Sequence, residues 1–201
     1  MNMVYEKYFQ EKEYLKSFRI QLILITAVFI VSAIAGYIYA SLSPEFASAA
    51  MGELDQLVEI IEDLPLLGIM LFIFFNNAIK SLFALVMGVA FGIIPLLFIA
   101  YNGVILGVVV QVIAAERGFM FVVAGILPHG IIELPVVLIS SAIGMKAGYE
   151  TLKAVSGKDA NIKEELVKGI RFYMKWIVPL LFVAAVIETF ITPLFIFMTG
   201  I

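Results

Sequence analysis

The chain has 201 residues, of which 63% are hydrophobic and 14% charged, with a formal net charge of −3 and a mean hydropathy of +1.07. This composition excludes a soluble globular domain and defines an all-α integral membrane protein. The absence of cysteine excludes disulfides, thiolate metal sites and cysteine nucleophiles.

From the amino terminus, Tyr5, Tyr8, Phe9, Leu15 and Phe18 recur at helical spacing among Glu and Lys, which predicts a cytoplasmic interfacial helix over residues 1–19. The rest, residues 20–201, reads as a single transmembrane helical domain. Its first apolar run, residues 20–42, is long enough to cross the hydrocarbon. Ala47-Ser48-Ala49 has the look of a processing site, but the run exceeds the roughly 7 to 15 residues of a signal core, so an uncleaved anchor is expected.

Residues 43–63 form an acidic loop with an amphipathic helix. Ser43-Pro44 supplies a cap and a first helical residue, and Met51, Leu54, Val58, Ile61 and Leu64 make one apolar stripe. The second span, residues 64–93, is interrupted by Asn76, Asn77 and Lys80, so a broken helix, either a kink or a re-entrant turn, is expected there. Spans at 94–115, 119–145 and 177–196 complete a set of five. A basic cytoplasmic loop at 146–176 separates the last two, and Asn161-Ile162-Lys163-Glu164 within it has the spacing of a helix-starting capping box.

Charge sets the orientation. Lys7, Lys12, Lys16 and Arg19 precede the first span, and Lys146, Lys153, Lys158, Lys163, Lys168, Arg171 and Lys175 precede the last. The loop at 43–63 carries Glu45, Glu53, Asp55, Glu59, Glu62 and Asp63 with no base. Basic segments favour the cytoplasm, which predicts an external acidic loop, a cytoplasmic amino terminus and an external carboxyl terminus.

Polar residues converge on the middle of the spans: Asn76, Asn77 and Lys80 in the second, Asn102 in the third, His129 and Glu133 in the fourth and Glu188 in the last. Ionisable groups at mid-depth cost about 2.5 kcal/mol or more when they face lipid, so they are expected to face inward as one cluster. His129 and Glu133 stand four apart on one helix face, between Pro128 and Pro135, whose missing amide donors are expected to open the helix. One Lys against two Glu leaves a negative charge, to be offset by a proton or a cation. His129, Glu133 and Glu188 are the candidate metal ligands. Gly88 and Gly92, Gly103 and Gly107, and Gly144 and Gly148 form small-residue pairs four apart, a spacing for close helix packing.

These residues carry a resemblance. "FNNAIKSLFALVMGVAFG" (75–92), "NGVILG" (102–107) and "PHGIIELPVVLISSAIGMKAG" (128–148) resemble the stage II sporulation protein M family of integral membrane proteins. The resemblance covers about the last two-thirds of the chain, and the matching positions are Asn76, Asn77, Asn102, Gly103, His129, Gly130 and Glu133. It implies a non-enzymatic scaffold or component of a membrane assembly, partnered by membrane or cell-envelope proteins as the family's namesake is by peptidoglycan-degrading enzymes.

The residues themselves leave a second function open, an ion- or proton-coupled channel or transporter of a small solute that uses the mid-depth cluster. Five spans are few for a transporter, so a homo-oligomer such as a homodimer is expected. An enzyme is not: one histidine cannot form His-Glu-x-x-His, and Ser140 and Ser141 lack the Gly-x-Ser-x-Gly setting. No glycine-rich phosphate loop calls for a cofactor, and lysines mixed with acids argue against nucleic acid.

Overall fold

The computed structural model describes residues 11–198, and no strand occurs among them. After a short helical segment at residues 11–17 come α1 (Arg19–Leu42), α2 (Pro44–Ile61), α3 (Leu66–Val86), a 3-10 turn (Met87–Val89), α4 (Ile93–Arg117) and α5 (Phe119–Val155). The final run is α6 (Ile162–Phe172), α7 (Val178–Val186) and α8 (Thr192–Met198), joined by π turns at Tyr173–Ile177 and Ile187–Ile191. Five helices are long and apolar enough to cross a membrane: Arg19–Leu42, Leu66–Val89, Ile93–Arg117, Phe119–Val155 and Ile162–Met198.

The connections are short and chemically specified. Ser43 alone separates α1 from α2; its Oγ accepts from the Phe46 amide at 3.4 Å, and Pro44 fills the first helical position. Asn161 caps α6, with Oδ1 accepting from the Glu164 amide at 3.1 Å. Gly118 is the whole connection between α4 and α5, at φ 85° and ψ 158°, a backbone conformation essentially reserved for glycine.

Three expected boundaries are corrected. α3 runs unbroken through Asn76, Asn77 and Lys80: the two amides meet each other at 3.4 Å instead of competing for the helical backbone, and the break falls later, at left-handed Phe91 and Gly92. The basic loop at 146–176 is a helical hairpin in which only residues 156–161 lie outside helices. Both of its arms are 37-residue helices, about 55 Å long at 1.5 Å per residue, against roughly 30 Å of hydrocarbon. Of the amino-terminal interfacial helix, Tyr5, Tyr8 and Phe9 lie outside the described residues. Phe18 does not face a headgroup layer but is fully buried, edge-on to Phe172.

α5 is the central helix and touches every other long helix. Its contact with the α3 end is made backbone to backbone. A Cβ on Gly144 would meet the Ala84 carbonyl oxygen at 2.6 Å, one on Gly88 would meet the Gly144 carbonyl oxygen at 2.1 Å, and one on Gly148 would meet the Gly92 nitrogen at 2.0 Å. α1 and α4 meet the same way, with Gly103 on the Phe29 carbonyl and Gly107 on the Ala33 carbonyl. Around these seams Ile25, Leu85, Ile99, Ile143 and Leu181 are fully buried, whereas Ile23, Ile30, Val31 and Ile34 of α1 point outward, as lipid-facing positions do.

A hydroxyl network fastens the last helix to this core. Tyr173, in the first π turn, donates to the Ala78 carbonyl at 2.5 Å and meets Ser81 Oγ at 3.1 Å, and Ser140 donates to the Ser81 carbonyl at 2.9 Å. Gly107→Ala places a methyl 2.0 Å from the Ala33 carbonyl oxygen and is expected to destabilise the protein by about 1–3 kcal/mol. Gly52→Ala, in α2 with open space around it, should stabilise by up to about 1 kcal/mol. Thermal unfolding of both variants in detergent reads the contrast.

Candidate functional site

Helices α3, α4 and α5 enclose a cavity of about 360 Å³, with Phe29 of α1 and Leu54 of α2 completing its wall. Asn76, Asn77, Lys80, Asn102, His129 and Glu133 all line it. The α-helical repeat accounts for each pair: Asn76 and Lys80 are four apart on α3, and His129 and Glu133 four apart on α5, so both members of each pair face the same way. Glu188 arrives from the last helix, on the second π turn. Ligand atoms of His129, Glu133 and Glu188 lie within 4.8 Å of one another. All seven expected polar residues therefore fall into one region, six lining the cavity and Glu188 meeting two of them.

Their hydrogen bonding is uneven. Asn102 Nδ2 donates to the Phe98 carbonyl one turn back at 2.7 Å. His129 Nδ1 lies 3.4 Å from Thr192 Oγ1, and Thr192 spends its one proton on the Ile187 carbonyl at 3.2 Å. With its proton on that carbonyl, the hydroxyl serves as an acceptor for the Nδ1–H tautomer of His129, the one in which Nε2 carries the lone pair. Glu133 Oε2 is buried with no hydrogen-bond partner among the described residues. Lys80 forms no ion pair among them, although it lines the same cavity, so the lysine does not neutralise either glutamate directly.

The local backbone departs from expectation. α5 stays helical through Pro128 and Pro135, so the prolines remove the amide donors due to the Ala124 and Ile131 carbonyls without opening the helix beside the pair. The widened turn is in the facing helix, at Ile187–Ile191, and it carries Glu188 and the buried Thr189, whose Oγ1 has no partner among the described residues. Thr189 and Thr192 were missed by a reading that took Glu188 alone from "ETFIT"; the rule that marks asparagines in an apolar run marks these threonines as well. Ser140 and Ser141 lie 11 and 12 residues along α5 from His129, about 16–18 Å of helix, and do not meet it.

A second polar cluster lies where the helical segment at residues 11–17 meets the hairpin. Lys146 Nζ pairs with Glu165 Oε2 at 2.9 Å and donates to Ser17 Oγ at 2.7 Å, while Tyr14 donates to Glu165 Oε1 at 3.0 Å. Burial, with the Glu165 carboxylate beside it, holds the Tyr14 phenol well above the ordinary tyrosine range. Lys175 pairs with Glu11 close by. Every oxygen of Glu165 has a partner here, the opposite of Glu133.

The six glycines sit at backbone contacts away from this chemistry. Gly88, Gly92, Gly144 and Gly148 join the α3 end to α5, and Gly103 and Gly107 join α4 to α1. They set the distances between the helices that carry the polar groups.

Fold and site together define a helical membrane protein whose bundle holds a cluster of two carboxyl groups and an imidazole. The family model described as Stage II sporulation protein M matches residues 25–193, and the chain belongs to that family. It is similar to uncharacterized protein MJ0793 of Methanocaldococcus jannaschii, 32% identical over 121 residues that cover 59% of this chain and 68% of that protein. No solved structure matches the chain significantly.

The two buried glutamates should respond oppositely to substitution. Glu165→Ala strands Lys146 in a buried position and is expected to cost about 3–5 kcal/mol. Glu133→Gln removes a carboxylate with an orphaned oxygen beside a second carboxylate and, in cation-free buffer, should leave the protein at least as stable as the wild type. Melting temperatures of the two variants measured side by side check this.

Proposed function

We propose that this protein is a non-enzymatic membrane protein that couples a small cation or a proton to passage of an ion or small solute through the bundle, with His129, Glu133 and Glu188 as the coupling site. The observation that carries the reading is Glu133: a buried, unpartnered carboxylate oxygen next to a second carboxylate, on the wall of a largely apolar cavity that also holds Lys80 and three asparagines. Most groups that fasten helices together satisfy their hydrogen bonds, as Glu165, Ser140 and Tyr173 do here, and the exception, Ser141 Oγ, is a neutral hydroxyl and not a carboxylate. Ionisable residues of several helices at one depth are what an intramembrane coupling site requires. Five spans supply few walls for a path, so a homo-oligomer, a dimer in its simplest form, belongs to this reading.

A specific feature favours a second role, that of scaffold in a membrane assembly with a membrane or cell-envelope protein partner. The hairpin of α5 and α6 extends well past the length needed to cross the bilayer, exposing Leu152, Val155 and Val167 among lysines. The two roles are compatible in one protein.

The orientation follows from charge: amino terminus and hairpin cytoplasmic, α2 and the carboxyl terminus external. The cysteine-free chain makes this directly testable. Single cysteines in place of Glu59 and Lys158 should be labelled from opposite sides of sealed cells by a membrane-impermeant thiol reagent, Glu59→Cys from outside. Labelling of both from one side overturns the topology.

Reconstituted in liposomes, the wild type should pass monovalent or divalent cations, or protons, under an imposed gradient. Glu188→Gln should lower that flux at least tenfold, and Glu164→Gln, on the exposed face of α6, should not change it. Absence of flux for protons and for every cation tried, in protein that remains folded, removes the transport reading and leaves the scaffold.

A further inference from the structure

We infer that the His129–Glu133–Glu188 cluster is a binding site for a divalent transition metal of the zinc class. This rests on the reading of the cluster as a cation site and names the cation. The donor set is one imidazole and two carboxylates, which suits zinc, cobalt, manganese or ferrous iron better than magnesium or calcium, whose sites are built from oxygen. Two carboxylates and a neutral ring carry two negative charges, the complement of a divalent ion. Three protein ligands beside an open cavity leave room for water or a solute as the fourth ligand.

Two further observations point to the same ligand. The Thr192 hydroxyl, its proton on the Ile187 carbonyl, stands where it can accept Nδ1–H of His129, the support under which metal-binding histidines offer the other ring nitrogen as a ligand. Glu133 Oε2 is buried and unpartnered, and hydrogen bonding within the cluster leaves it so. The ligand atoms stand up to 4.8 Å apart, whereas tetrahedral ligands about 2.0–2.2 Å from zinc are about 3.5 Å apart, so rotation of the two glutamates must close the site by about 1 Å. Glu188, on a π turn, and Glu133, a long side chain with no bond to break at Oε2, are the groups able to make that movement.

The test is titration of the detergent-purified, metal-stripped full chain with Zn2+ by calorimetry and with Co2+ by its visible ligand-field absorption. One ion per chain is expected, with a Co2+ spectrum of low coordination number and no competition from excess Mg2+ or Ca2+. Glu133→Gln and Glu188→Gln should each weaken binding by about a hundredfold or more. Thr192→Val, which keeps the shape and removes only the support of His129, should weaken it by about 10–100-fold, with Thr192→Ser restoring it. Melting temperatures without metal establish that each variant is folded.

Zn2+ affinity unchanged in folded ligand variants, or equal competition by Mg2+ and Ca2+, overturns the assignment. Flux assays separate its failure from that of the transport reading. Proton or monovalent-cation flux without Zn2+ or Co2+ binding keeps transport and sinks the metal, whereas stoichiometric Co2+ binding without flux keeps the metal and sinks transport.

Discussion

Contact between two backbones, the Gly144–Gly148 stretch of α5 on the Gly88–Gly92 turn after α3, is the constraint on which the rest of the bundle depends. Lipid supplies no hydrophobic drive for helices to associate, so association rests on close packing, and close packing of helices rests on small residues. With Cβ positions on Gly88, Gly144 and Gly148 at 2.0–2.6 Å from facing backbone atoms, no larger residue fits at those three without separating the helices. α5 is thereby clamped to the turn at its hairpin end. Its other half, with Pro128, His129 and Glu133, faces the cavity and contributes no such seam.

The polar groups follow a division of labour set by the same geometry. Near the clamp, hydroxyls close their bonds: Tyr173 to Ala78, Ser81 to Asn77 and Ser140 to Ser81. Three buried atoms are left without a partner among the described residues: Ser141 Oγ beside the clamp, and Glu133 Oε2 and Thr189 Oγ1 away from it. An unsatisfied buried acceptor costs about 1–3 kcal/mol, and a fold able to satisfy Glu165 completely has no structural need to leave Glu133 incomplete.

The sequence made much of this legible, because the relevant signals are local. Apolar length gave five spans, the four-residue spacing gave both inward-facing pairs, and position at mid-depth brought Glu188 together with residues of α5. The second arm of the hairpin was legible in the Asn161 cap and the Glu164–Lys168 pair, at 2.6 Å in the structure, while the continuation of α5 from Met145 to Val155 was hidden by a run of polar and charged residues that looks like a loop in a membrane protein. The break assigned to Asn76 and Asn77 rested on polarity alone, and polarity does not interrupt a helix whose side chains have a cavity to enter. The π turns were invisible: a single extra residue in a turn leaves no periodic mark over five positions, and only the crowding of Glu188, Thr189 and Thr192 hinted that this stretch faces something polar.

The acidic helix α2 gains a meaning from its place in the wall of the cavity. Leu54 lines that cavity, while Val58, one turn further along the stripe, is exposed. Around it Glu45, Asp55, Glu59, Glu62 and Asp63 stand without a single basic residue in the segment. A surface of one sign beside a low-dielectric cavity raises the local concentration of counter-ions and the rate at which they enter. Cations are the counter-ions of such a surface, and the ionisable groups lining the cavity are Lys80, His129 and Glu133, with Glu188 beside the last two. The acidic face of α2 and the carboxylates of Glu133 and Glu188 thus carry the same sign, although they belong to different helices and arise from different physical requirements.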